Sequence, residues 1–323
     1  MARRYVNQHG PQQAVDEVFI ASGKQLRTNR NGNLYLQVSL SDRTGTMAAR
    51  MWNAKESVYQ SFENGDYVRV LGSTQLFQGS IQLIATKLTK VNPGEVNEED
   101  FVQLTPVDVD RLANRLREIL RGIVDPNLAN LAECFLLDEE LMKKYTLAPA
   151  GIKNHHAYQG GLLEHVVNMM EVAIRIAPYY PQINKDLLLM GIFLHDISKI
   201  DELSYNREMI YTDEGQLIGH LVMAVSLLEK KVAETEKLSN EPIAPDIVLR
   251  LKHMIVSHHG KYEFGSPKLP MTIEAEALHH IDNLDSKIFT FDQLMRDDLN
   301  ADSPWTCYNS NLGRKFFKGK KGG

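Results

Sequence analysis

Residues 186–200 read Asp-Leu-Leu-Leu-Met-Gly-Ile-Phe-Leu-His-Asp-Ile-Ser-Lys-Ile. A run this apolar is expected to be a helix buried in a core rather than an amphipathic helix at a surface. It ends, however, in His195, Asp196 and Lys199. Burying polar and ionisable side chains costs several kcal/mol unless each finds a partner. Any fold built around this run must therefore satisfy those groups, or use them.

Two kinds of periodicity divide the rest of the chain. From 15 to 91, short runs rich in β-branched and aromatic residues cover 18–21, 33–40, 46–52, 67–74 and 80–89, with turn clusters such as Asn29-Arg30-Asn31-Gly32 and Asn64-Gly65-Asp66 between them. Residues 54–62, between the third and fourth runs, have helical character. Five strands with a helix after the third suggest a Greek-key barrel of the OB type. The stretch Tyr35 to Gly45, Tyr-Leu-Gln-Val-Ser-Leu-Ser-Asp-Arg-Thr-Gly, resembles the β-hairpin of anticodon-binding OB domains. On such barrels one face carries aromatic and basic side chains for bases and phosphates. Tyr35, Trp52, Phe77, Arg50 and Arg69 are the candidates here, a core or merely exposed role being open for each.

After Asn92-Pro93-Gly94-Glu95 and an acidic stretch to Asp100, helical spacing takes over at 107–123, 127–144, 160–176, 186–200, 218–236, 245–259 and 272–294. The expected fold is thus multi-domain α+β. A five-stranded OB-type β-barrel occupies 1–92, a linker 93–105, an all-α domain 106–300, and a C-terminal segment with a basic tail 301–323. No apolar run reaches the roughly 18 to 20 residues that span a bilayer, and the first residues lack the apolar stretch of a secretory signal, so a cytoplasmic protein is expected. Cys134 and Cys307 offer neither a disulfide framework nor a zinc ribbon. The net charge of −5 argues, on average, against a nucleic-acid partner. The tail 313–323 runs against that average, with five cations and no acid. It reads either as a solvated terminus or as a phosphate-contacting one.

Of the eleven histidines, all but His9 lie in the helical part. His165 shares a helical face with Leu162, Met169 and Val172, His195 with Leu188, Gly191 and Ile192, and His258 with Leu251, Met254 and Ile255. Asp282 has Ala275, Leu278 and Phe289 as face neighbours. Any one of these is readily a satisfied core residue. Several imidazoles and carboxylates pointing into one bundle are hard to stabilise except around a metal ion. Mixed His and Asp ligation without cysteine suits Mn, Fe, Co or Zn rather than a thiolate zinc site.

His165, then His195-Asp196, then Asp282 match the H…HD…D signature of the HD-domain phosphohydrolases, and the chain resembles that helical superfamily over about 150–291. The setting Gly-Ile-Phe-Leu-His-Asp-Ile-Ser-Lys, with Gly-Gly-Leu-Leu-Glu-His upstream, makes the match specific. The resemblance implies a divalent-metal site for phosphate-ester hydrolysis. One ion would be held by His165, His195, Asp196 and Asp282. A second would be held by His220 and one or both of His258 and His259, with Asp196 bridging. For His259 an orienting or helix-ending role stays open. Mn²⁺ or Co²⁺ is favoured, with Fe, Zn and Mg left open. Asp196 and Lys199 are the catalytic candidates. Lys199, four residues after His195, would neutralise a bound phosphate or else pair with a nearby carboxylate. His155 and His156 would contact substrate phosphate, and Gly160 and Gly161 would let a helix N-terminus approach it or would make only a tight turn.

The blocks His155 to His165, His259 to Pro270 (His-Gly-Lys-Tyr-Glu-Phe-Gly-Ser-Pro-Lys-Leu-Pro) and Glu274 to Lys287 resemble the YhaM-type 3′–5′ exoribonuclease group, in which an OB domain precedes an HD domain. The lysine-rich extension after Phe317 departs from that pattern. The resemblance implies a metal-dependent exonuclease that degrades single-stranded RNA to nucleoside monophosphates, with single-stranded DNA left open as a further substrate. Two alternatives are an HD-type phosphohydrolase of small nucleotides with a regulatory OB domain, and a nucleic-acid-binding protein with a structural metal cluster. No membrane partner is expected, and the oligomeric state, a homo-oligomer included, is left open.

Overall fold

The computed structural model describes residues 3–29, 31–77, 80–152, 156–204, 210–296, 298, 303–310 and 312–319. The chain divides into two compact units, one holding residues up to Gln103 and those from Phe291 onward, the other lying within 104–290. Among the described residues no helix is long and apolar enough to cross a membrane.

The first unit is a closed barrel of β1 (Ala14–Thr28), β2 (Leu34–Asp42), β3 (Gly45–Trp52), β4 (Tyr67–Phe77) and β5 (Ser80–Lys90), in the order β1-β2-β3-β5-β4, with helix α1 (Glu56–Tyr59) after the third strand. The five-stranded OB-type expectation is therefore met. Strand β2 shows why the sequence folds this way: Leu36, Val38 and Leu40 alternate inward, fully or almost fully buried, with polar neighbours outward. They meet Phe19, Phe62, Val68, Val70 and Leu83 in the barrel core.

Strand β1 is far longer than the 18–21 segment that periodicity suggested. Its first half pairs with β4, from Ala14↔Ser73 to Ile20↔Tyr67, and its second half with β2, from Ile20↔Ser41 to Thr28↔Leu34. Asp16, Glu17, Lys24 and Gln25 are poor strand formers, but pairing overrides that preference. To serve two neighbours the strand must curl. Its register slips between Ser22 and Gln25, where Gly23 adopts φ +59°, the backbone a bulge needs and only glycine takes freely. Parallel pairing of Ala48 to Arg50 with Gln82 to Ile84 closes the barrel.

Both flanks of the barrel fold onto this unit. Phe101 is buried with its ring 4.8 Å from that of Tyr67, and the Tyr5 hydroxyl donates to Asp100 at 2.7 Å. In the tail, Trp305 pairs with Phe317 and Asn309 with Arg314, and Phe316 buries its ring 4.6 Å from Phe291. Arg314 lies over both of those rings and Lys318 pairs with Asp298, so these two basic residues of the tail are structurally engaged. Residues 320–323 lie outside the described residues.

The second unit is a helical bundle: α2 (Pro106–Arg121), α3 (Pro126–Leu136), α4 (Glu139–Leu147), α5 (Gly161–Ile176), α6 (Lys185–Leu194), α7 (Lys199–Glu202), α8 (Asp213–Leu217), α9 (His220–Ser239), α10 (Pro245–Ser257) and α11 (Ile273–Arg296), the last belonging here up to Thr290. Local chemistry sets several starts. Thr105 and Asp108 form a capping box ahead of α2, and Asp125, Asp138 and Asn184 cap α3, α4 and α6. As the sequence required, α6 is buried all round from Leu187 to Leu194 and packs against α5 and α10.

Three expectations need correction. The helix expected over 127–144 is two, because Asp138 accepts from the amide of Leu141 and starts a second one. The helix expected over 186–200 ends at Leu194, with His195 as its C-cap. Beyond it, amides of Ile197, Lys199 and Ile200 bond to carbonyls three residues back, a tighter winding than the α-helix. The bundle is also not purely helical, since β6 (Leu203–Ser204) and β7 (Ile210–Tyr211) form a small antiparallel pair.

Candidate metal centre

Five segments of the bundle converge at the site. His165 comes from the first half of α5, His195 and Asp196 from the turn after α6, and His220 from the first residue of α9. His258 and His259 follow α10, and Asp282 lies on α11. The possible ligand atoms of His165, His195 and Asp282 lie within 4.8 Å of one another, as do those of His195, Asp196 and His258, and those of His220, His258 and His259. Asp196 sits at the middle. Its Oδ2 is 3.3 Å from His195 Nε2, and its Oδ1 is 3.4 Å from His220 Nε2 and 3.6 Å from His258 Nε2.

Each central imidazole is held by its other nitrogen. His195 Nδ1 donates to the Ile192 carbonyl at 2.7 Å and His258 Nδ1 to the Ile255 carbonyl at 2.8 Å, each reaching back one turn of the helix it ends. His220 Nδ1 donates to Glu202 Oε1 at 2.9 Å, and the His220 amide donates to the same oxygen at 3.0 Å. His165 Nδ1 lies 2.7 Å from Asp285 Oδ2, while its Nε2 lies 3.4 Å from Asp282 Oδ1. With Nδ1 committed as a donor, the Nε2 atoms of His195, His220 and His258 are the ones that face Asp196, the orientation that outer partners impose on metal-binding histidines.

Electrostatics agree with that reading. Burial pushes the Asp196 carboxyl up, but Lys199, His195 and His220 outweigh it and hold Asp196 well below the usual carboxylate range. Burial, reinforced by His195, keeps His258 well below the ordinary imidazole value, and burial with His220 lowers His259. Burial opposes charge on His165, yet Asp282 and Asp285 prevail and raise it to about 9, so this imidazole is protonated at neutral pH and a cation held at its Nε2 would have to displace that proton. Asp196 is thus ionised, with neutral imidazoles of His258 and His259 beside it. Among the described residues, His195 Nε2, Asp196 Oδ1, His220 Nε2 and His259 Nδ1 are buried without a hydrogen-bond partner. Such orphaned groups are costly singly, and a divalent cation satisfies several together. The donor set fits a divalent metal.

Of the remaining candidates, some belong to the bundle and others to the barrel. Lys199 Nζ lies 2.7 Å from Asp196 Oδ2 and donates to the Ala150 carbonyl at 2.6 Å. His156 is buried, with Nδ1 2.9 Å from the Tyr158 hydroxyl and Nε2 3.0 Å from Asp285 Oδ2, so both ring nitrogens are engaged. Gly160, at φ +81°, caps α5, and a Cβ on Gly161 would come 2.0 Å from the His156 carbonyl oxygen. The two glycines therefore make a tight turn that no larger residue fits. His155 lies outside the described residues. On the barrel, the ring of Tyr35 is 5.2 Å from that of Trp52, and the Arg50 guanidinium lies 5.3 Å from the Phe77 ring and 5.8 Å from Trp52. Trp52 and Phe77 are 44% and 39% exposed. Arg69 is committed to a two-pronged ion pair with Asp16.

Glu202 and Asp285 were not singled out from the sequence. The signal that could have found them is chemical: a buried metal-binding histidine needs an acceptor for its second N–H, and each is an acidic residue close in sequence to a candidate ligand.

The chain matches the family described as HD domain over residues 162–287 and an OB-fold nucleic acid binding domain over residues 20–91. It is 35% identical over 295 residues to the 3′-5′ exoribonuclease YhaM of Bacillus velezensis, covering 89% of both chains. To the protein of that name from Bacillus subtilis it is 35% identical over 288 residues, again covering 89% of both. Among solved structures, the second OB-fold domain of replication protein A from Methanococcus maripaludis is 15% identical, with a TM-score of 0.23, covering 28% of this chain and 94% of that one. With a barrel first, a His/Asp-centred bundle second and this identity across nearly its whole length, the chain belongs to the YhaM 3′–5′ exoribonuclease family.

Proposed function

We propose that the protein is a metal-dependent 3′–5′ exoribonuclease that hydrolyses single-stranded RNA to nucleoside monophosphates, with single-stranded DNA left open as a second substrate. The observation that carries the reading is the set of fixed imidazole nitrogens converging on Asp196 in a chain of this family. His165, His195, Asp196 and Asp282 would hold one ion, and His220, His258 and His259, sharing Asp196, a second; Mn²⁺ or Co²⁺ suits this set. Two such ions, when bound, supply an activated water and charge stabilisation for the attacking and leaving oxygens of a phosphodiester.

The chain's own residues do the rest. Glu202, Asp285 and the carbonyls of Ile192 and Ile255 keep the imidazoles aimed. Lys199 holds Asp196 through its ion pair and places a permanent positive charge beside the site, where it favours an anionic substrate and the charge that builds during displacement. His195 and His258 are closed off from water, and the site is more accessible on the side of His220, His259 and Asp282, through which a 3′ end would enter. On the barrel, Tyr35, Trp52, Phe77 and Arg50 would capture the strand by stacking and phosphate contact. Covalent linkage of that surface to a hydrolytic bundle raises the local substrate concentration. The reading extends to a cytoplasmic enzyme, with assembly into a homo-oligomer left open.

The test follows RNA labelled at either end, with Mn²⁺ or Co²⁺, for the wild type and Asp196→Asn. The expected result is immediate release of the 3′ label as mononucleotide, stepwise shortening of the 5′-labelled strand, and loss of both in the variant. RNA that is bound but never shortened would show the reaction to be wrong and move the search to small nucleotides.

A further inference from the structure

The accessible side of the metal centre leads, along the chain, into a rigid turn that shows two aromatic rings to solvent. From His259 the sequence continues Gly260-Lys261-Tyr262-Glu263-Phe264-Gly265-Ser266. The amides of Phe264 and Ser266 donate to the Lys261 carbonyl at 3.1 and 3.2 Å, and that of Gly265 to the Tyr262 carbonyl at 2.9 Å. The buried Ser266 hydroxyl lies 3.1 Å from the Val256 carbonyl oxygen and 2.7 Å from that of Lys268, which pins the turn to the last turn of α10, just before His258. Backbone bonds and Ser266 thus hold the turn, and its aromatic side chains are not needed for that purpose. Tyr262 is 62% and Phe264 60% exposed. Exposed apolar side chains are ordinary singly, but two rings in one short turn directly after His259 are placed to meet whatever the centre receives.

The chemistry of the turn narrows the occupant. Lys261 Nζ lies 5.5 Å from the centre of the Phe264 ring, and rings joined with cations are what single-stranded nucleic acid requires, since every base offers a face to stack and every phosphate a charge to neutralise. Tyr262 is three positions beyond His259, so their backbones lie within roughly 11 Å. We propose that Tyr262 and Phe264 form a stacking platform for the bases beside the scissile phosphodiester, with Lys261 on the neighbouring phosphate; the proposal rests on the exonuclease reading. A bound metal would then hold the phosphate while the platform holds the bases, without regard to their identity. A paired end, whose bases already stack, would be held poorly.

The experiment is a cycle between enzyme and substrate. Tyr262→Ala and Phe264→Ala, singly and together, are assayed for KM and kcat on two RNA oligonucleotides, one intact and one abasic at the second and third nucleotides from the 3′ end. Removing those bases should cost the wild type roughly 5- to 150-fold in kcat/KM per stacked base. The double variant should show the same loss on intact RNA and no further loss on the abasic strand. Tyr262→Phe should restore the wild-type response, which controls for folding. Equal abasic penalties in wild type and double variant would overturn the platform, as would full rescue by Tyr262→Leu, which replaces area but not a ring. A wild type that degrades intact RNA while showing such additive penalties refutes the platform alone. A wild type that leaves intact RNA untouched sinks the exonuclease reading and the platform together.

Discussion

Replacing Glu202 tests whether the fixed imidazoles are there for a metal. His195 and His258 are oriented by main-chain carbonyls, which no substitution removes, but His220 depends on one side chain. Glu202 is 6% exposed, and a single oxygen accepts both the amide and Nδ1 of His220. Glu202→Ala leaves both donors without their acceptor and frees the ring to turn or change tautomer. Loss of such an outer partner weakens metal binding about 10- to 100-fold, equivalent to roughly 1.4 to 2.7 kcal/mol, and the lost bonds lower folding stability by on the order of 2 kcal/mol. Glu202→Gln keeps an acceptor but not the charge and should fall between. The assay is RNA hydrolysis against Mn²⁺ concentration, beside equilibrium dialysis of bound metal. The expected outcome for Glu202→Ala is a half-activating concentration shifted by that factor, with most of the maximal rate recovered at saturation. A half-activating concentration within twofold of wild type would refute the reasoning, since orientation of His220 would then be irrelevant to the ion.

Other outcomes follow from the same geometry. Metal that binds only the folded site adds about 2.7 kcal/mol when present at 100 times its dissociation constant, so chelation should lower the melting temperature of metal-loaded protein by several degrees, read by a thermal melt with and without EDTA. On the barrel, Trp52→Ala should weaken RNA binding by about 1 to 3 kcal/mol through lost stacking, whereas Arg50→Ala should also flatten the salt dependence by about one phosphate contact; binding titrations at several salt concentrations separate the two. Phe19 is fully buried in the barrel core, and Phe19→Ala should cost about 3 to 5 kcal/mol in urea unfolding.

What was legible in the sequence was what depends on period and residue type. Leu36, Val38 and Leu40 alternate and therefore line the barrel. Leu187 to Leu194 are apolar on every face, and α6 is accordingly central. His165, His195, His258 and Asp282 stand at apolar-face positions, and the bundle collects them. Spacing could not show that the helix breaks at His195, because the polar residues that follow are arranged by tighter turns and by an ion pair to Lys199. Nor could it show that β1 divides itself between two partners, since its charged residues hide the strand until both neighbours are in place.

The sequence by itself determined the two-part architecture and the chemical character of the site, because backbone period, turn residues and ligand type are local properties of the chain. Tertiary structure decided which acceptor orients each histidine. Glu202 reaches His220 across 18 residues, and Asp285 reaches His165 across 120. That an acid near a candidate ligand could serve is readable along the chain, but which histidine it meets is not. The meeting arises from packing, which brings a buried N–H to a carboxylate because leaving that N–H unpaired would cost more than the fold can lose.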